Sequence, residues 1–127
     1  MAYCFSKTLD STFDEAFKKV TEALFEEGFG IVTEFNVTNA FKNKLGIDFR
    51  PYKILGACNP PIAKQAIDAE DTIGTMLPCN VVIQQTENGI KITVVDPVAS
   101  MIAVENYDVL QIAKHIQEKL KRVMETI

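Results

Sequence analysis

The sequence predicts an α+β fold, an antiparallel sheet with two long helices on one of its faces. Three observations predict it. Residues 11–28 and 107–125 each carry a single apolar stripe at helical spacing. Asn88-Gly89 stands between two extended runs, the signature of a two-residue hairpin and so of antiparallel pairing. Helical and extended patterns interrupt one another, and the late hairpin rules out a doubly wound parallel sheet.

Each element has its own signal. Residues 2–8 (AYCFSKT) read as a first strand with weak alternation. In the first helix Phe13, Ala16, Phe17, Val20 and Leu24 fall on one side; Thr12 and Glu15 make a capping box, and Gly28 is the stop. Residues 29–37 alternate Phe29, Ile31, Thr33 and Phe35, which puts these four on one face of a half-buried strand. TNAFKNKLG gives one or two helical turns, capped by Thr38 or Asn39 and closed by Gly46. Residues 52–58 (YKILGAC) form a strand. NPPIAKQAIDAE then opens a helix with Asn59 as N-cap and Pro60 at the first helical position.

Residues 76–86 and 90–96 are the hairpin strands. Cys79, Val81, Ile83, Ile90, Ile92 and Val94 share one face, while Asn80, Val82, Gln84, Thr93 and Val95 make the other neither dry nor wet. DPVASMIAVENYD connects, with a helical turn, to a last helix that keeps Val109, Ile112, Ala113, Ile116, Leu120 and Val123 in register. With both long helices on one face, the second face needs a partner, a ligand or water.

The chain of 127 residues is 47% hydrophobic and 24% charged. One domain over 1–127 is expected, with a core that needs neither disulfides nor metal. Three cysteines, spaced as neither CxxC nor a zinc ribbon, point to free thiols in a reducing compartment. A net charge of −4 gives no footprint for nucleic acid or anionic membrane. The apolar runs are too short to span a bilayer, and the N-terminus lacks the basic and apolar regions of a signal peptide. A cytoplasmic location is expected.

Chemistry concentrates in two Cys-Asn dipeptides. In GACNPP a strand end feeds a helix N-terminus, a place suited to anions or a thiolate, with Cys58 just before the cap and Gly56 permitting close approach. In LPCNVV, Pro78 is allowed at a strand start and Cys79 heads an apolar face. Cys58, Asn59, Pro60, Pro78, Cys79 and Asn80 are therefore the candidate pocket. Packing explains the same residues otherwise: Asn59 caps, Pro60 starts a helix, and both cysteines serve as small hydrophobes. His115, the only histidine, lies beside the apolar stripe of the last helix; no spacing supports a metal site or a cofactor. GxSxG and phosphate-loop motifs are absent. Glu26, Glu27, Glu70 and Asp71 read as solvated faces and turns, whereas Asp96, at a strand end, is the acid with most claim to a role.

From LGIDFRPYKILGACNPPIAKQAI through GTMLPCNVVIQQTENGIKITVVDP, roughly residues 45–98, the chain resembles the bacterial and archaeal family called domain of unknown function 302. The resemblance implies a TATA-binding-protein-like curved antiparallel sheet with helices on one face, and it implies dimers. It carries no activity and no catalytic residues. Three functions follow as expectations: a homodimeric binding or accessory protein with a small-molecule ligand at the candidate pocket, a thiol-dependent redox enzyme or sensor using Cys58 and Cys79, and a purely structural interaction domain.

Overall fold

Every neighbouring pair of strands in the computed structural model, which describes residues 2–127, is antiparallel. The elements are β1 (Cys4–Leu9), α1 (Phe13–Glu26), β2 (Gly30–Asn36), α2 (Val37–Leu45), β3 (Tyr52–Cys58) and α3 (Pro60–Ala69). A 3-10 segment (Asp71–Met76) precedes β4 (Cys79–Thr86) and β5 (Gly89–Val95); α4 (Pro97–Met101), a 3-10 turn (Ile102–Val104) and α5 (Tyr107–Thr126) close the chain. The strand order β1-β5-β4-β3-β2 leaves β1 and β2 as edges.

The long helices form where the sequence supplies both a stripe and a cap. Thr12 accepts a hydrogen bond from Glu15 N at 3.2 Å, and the Glu15 carboxylate accepts from Thr12 N, completing the capping box. Gly28 (φ 88°) ends α1, with Phe29 N donating to Leu24 O. Ala16, Val20, Ala23 and Leu24 of α1, with Ile116, Leu120, Val123 and Met124 of α5, bury against Leu55, Val81, Ile83, Ile90, Ile92 and Val94 of the sheet. Both long helices thus cover one face, as the stripes require. Burying each Val, Leu or Ile there is worth about 1.5–3 kcal/mol. Helix α3 adds Ile62 to this core, and its Ala66 joins a second cluster with Ile73, Met101, Val109 and Ala113. Among the described residues no helix is long and apolar enough to cross a membrane.

Local expectations fail in four places, each for a physical reason. A bulge at Val32 shifts the pairing between Ile31 and Thr33, so Thr33 and Phe35 leave the face that Phe29 and Ile31 share. Helix α2 starts earlier than expected: Asn36, not Thr38 or Asn39, caps it, because the Asn36 side chain accepts from Asn39 N at 3.0 Å. Thr38 instead ties the chain back, donating to Arg50 O and accepting from Tyr52 N, both at 2.8 Å. The hairpin loop is Glu87-Asn88, since Thr86 pairs with Gly89 and only the glycine takes a positive φ (132°). Finally, Glu27 and Glu70 are not merely solvated, as both accept hydrogen bonds from distant side chains, Arg122 and Asn106.

Candidate functional site

Strands β3 and β4 are neighbours, and Ala57 pairs with Cys79. The two Cys-Asn segments therefore meet at one end of the sheet, against the start of α3. Cys58, Asn59, Pro78 and Cys79 line a crease there with Phe29, Ile62 and neighbours. Pro60 and Asn80, both exposed, do not line it. The crease is mostly apolar and holds about 20 Å³ of free space, room for about one water-sized group.

Each motif residue has a contact that accounts for it. The Asn59 side chain accepts from Ile62 N at 3.4 Å, capping α3, and donates to Glu27 O at the end of α1 at 3.3 Å. A Cβ on Gly28 would stand 2.8 Å from Asn59 Nδ2, so the helix stop must be a glycine twice over, for its φ and for this approach. Gly56 admits Pro78: a Cβ there would lie 2.5 Å from Pro78 Cγ and 2.1 Å from Thr33 Oγ1. The Leu77–Pro78 bond is cis. Pro60 fits the first helical position, where its missing N–H costs nothing.

Electrostatics separates the thiols. Cys79 is 5% exposed, and burial, with a smaller contribution from a charge on Cys58, pushes its pKa up to about 11. Cys58 is half-buried, and Cys4 lies on β1. Cys79 pairs with Ala57, and Cys58, the last residue of β3, lines the same crease. All three cysteines are free thiols.

Beside the crease lies a polar lock that the sequence does not announce. The Glu27 carboxylate accepts from Arg122 Nη2 at 2.9 Å and Nε at 3.1 Å, with Lys119 Nζ at 3.8 Å. The Arg122 hydrogen bond holds the Glu27 carboxyl below its ordinary pKa. Lys119 also donates to Glu27 O, the carbonyl that Asn59 uses. The end of α1, the start of α3 and the C-terminal half of α5 are pinned at one residue, by contacts 32 to 95 positions apart. His115 is exposed on α5. Asp96 is buried but spoken for: it caps α4 through Val98 N and accepts from Gln117 Nε2, each at 3.0 Å. Among the described residues no cluster of His, Cys, Asp and Glu could hold a metal ion.

A second candidate is the sheet face away from α1 and α5. Register places Phe35, Ile54, Val82, Thr93 and Ser6 in one row across all five strands. The row is apolar over β2, β3 and β4 and hydroxylic over β5 and β1, where Ser6 Oγ and Thr93 Oγ1 are 2.9 Å apart. Phe35 is 52% exposed.

Comparison with known proteins agrees with this architecture. Residues 5–127 match the family described as domain of unknown function DUF302. Among curated proteins no relative matches. The chain is similar to an uncharacterised conserved DUF302 protein from Bacillus stearothermophilus, whose crystal structure aligns with a TM-score of 0.92 at 27% identity, over 99% of this chain and 98% of that one.

Proposed function

Since the chain belongs to the DUF302 family, whose description names no activity, we propose its function from the surface alone: a small homodimeric binding or accessory protein. The second copy sits on the apolar half of the open sheet face. One observation carries this, the apolar row Phe35–Ile54–Val82, whose Phe35 is exposed and whose Ile54 and Val82 are only half-buried. A two-fold dimer presents the same patch from both copies, so an apolar strip meets its own kind. The hydroxyl and amide side chains beside it then form the polar rim such interfaces have. Free thiols at Cys4, Cys58 and Cys79 suit work in the reducing cytoplasm.

Light scattering coupled to gel filtration tests the assembly. The expected mass is twice the 14.2 kDa of one chain; a single-chain mass at micromolar concentration would overturn the dimer.

The crease at Cys58, Asn59, Pro78 and Cys79 enters as a joint between the two motifs, with Pro60 and Asn80 flanking it. Its volume offers a seat to one water-sized group and not to a metabolite. A thiol-dependent enzyme or sensor is the competing reading, and the state of Cys79 speaks against it. A thiol at about 11 is almost wholly protonated at neutral pH, and the thiolate is the nucleophile. Rapid alkylation of Cys79 at neutral pH, or a 58–79 bond in the mass spectrum after mild oxidation, would reverse that preference.

A further inference from the structure

The open face carries charge at one end only. Register brings hydroxyls, amides and apolar side chains to this face and no carboxylate, although the chain as a whole has a net charge of −4. Its single charged strand residue is Lys91, which pairs with Gln84, which in turn pairs with Tyr52. Arg50 joins this row. Its guanidinium carbon lies 4.4 Å from the ring centroid of Phe49 and 5.5 Å from that of Tyr52, and its Nε donates to Gln84 Oε1 at 3.1 Å.

Stacked on two rings and steered at Nε, this guanidinium spends one donor. Its Nη pair makes no hydrogen bond among the described residues, and neither Arg50 nor Lys91 forms a salt bridge there. The bond to Oε1 also fixes the Gln84 amide so that its Nε2 donors are left over. Of the acids in the loops at this end, Asp48 is held by Lys42 at 3.0 Å, while Asp10 and Glu87 lie outside the strands. Packing accounts for the arginine stem and for Nε. It does not account for a steered guanidinium fork and an amide, with a lysine paired to that amide's residue in the next strand, all without an acceptor among the described residues.

We infer that Arg50, Gln84 and Lys91 form a binding site for a small organic anion, a carboxylate or a phosphate monoester. The Nη fork takes two of its oxygens side by side, a geometry that matches both head groups. Lys91 supplies a second positive charge and Gln84 a neutral donor between them. The site uses the rim of the face and not its apolar half, so it and the dimer stand or fall separately.

Amide and arginine side-chain NMR on the full chain tests this, with phenyl phosphate, benzoate and neutral benzyl alcohol as probes. Saturable shifts at Arg50, Gln84 and Lys91 are expected with phenyl phosphate or benzoate, weakening as salt is raised, and none with benzyl alcohol. Whichever anion binds tighter identifies the head group. Arg50→Gln and Lys91→Gln should each weaken binding about tenfold or more, with spectra that otherwise remain those of the folded chain. Absence of saturable shifts at these residues with both anions, undiminished affinity in both variants, or equal binding of benzyl alcohol would overturn the site.

Discussion

Gly56 sits where a strand of the sheet and the loop before β4 come closest, and its missing side chain is what lets them touch. An alanine methyl there would meet Thr33 Oγ1 and Pro78 Cγ at 2.1 and 2.5 Å, on a sheet and a proline ring that yield little. Gly56→Ala should therefore cost about 3 kcal/mol, the upper end for overpacking. Gly74→Ala, where nothing lies within 4 Å, should stay within about 0.5 kcal/mol of the parent. Urea denaturation of the two variants measures the contrast. Cys79 gives a second test, this one against pH. Its pKa rises from an ordinary 9.0 to about 11 on folding, so the folded chain keeps the proton that the unfolded chain gives up. The stability this represents is complete below about pH 9 and is lost as pH climbs through about 11. Over that window the parent should lose about 2 kcal/mol more than Cys79→Ala. Equal slopes for the two proteins would mean that burial does not hold the thiol protonated.

At the scale of elements, local chemistry in the sequence settles the starts of α1 and α3, misses that of α2, and settles a pairing register badly. Asn59-Pro60 announces α3 because a cap acceptor and a fixed φ act within one turn. The same holds for Thr12 and Glu15 of α1. By contrast, nothing in FGIVTEFNV says that Val32 will bulge, since the bulge is set by the pairing of β2 with β3. The lock on Glu27 is equally hidden, its partners lying 92 and 95 positions away. The candidate crease was half legible for this reason: the types Cys, Asn and Pro marked two corners, and only the β3–β4 ladder brings the corners together. Asn59 joins both kinds of information, capping α3 locally and holding α1 at long range. Asn59→Ala should cost about 2 kcal/mol, about one for the cap and one for the bond to Glu27 O. Asn59→Asp keeps the cap acceptor and loses only the donor, so about half that loss is expected. If Asn59→Asp unfolds at the same urea concentration as the parent, the bridge to α1 contributes nothing.

At the scale of the whole molecule, the consequence of a one-sided sheet shows in two adjacent residues. Val81 points into the core and is 1% exposed; Val82 belongs to the apolar row, between Ile54 and Thr93. Strand alternation separates their fates completely. A carboxylate at position 81 would be buried without a partner, a cost several kcal/mol beyond what a domain of this size can absorb. One at position 82 would face water in a single chain and an apolar surface in a dimer. Val81→Glu should thus fail to fold. Val82→Glu should fold with native circular dichroism, yet elute at the mass of one chain where the parent elutes at two. A Val82→Glu protein that stays dimeric would move the interface off the apolar row, to the β2 edge or to the helices. One that unfolds would mean that the open face is needed for the single chain's own stability, and that the second copy is part of the fold and not an addition to it.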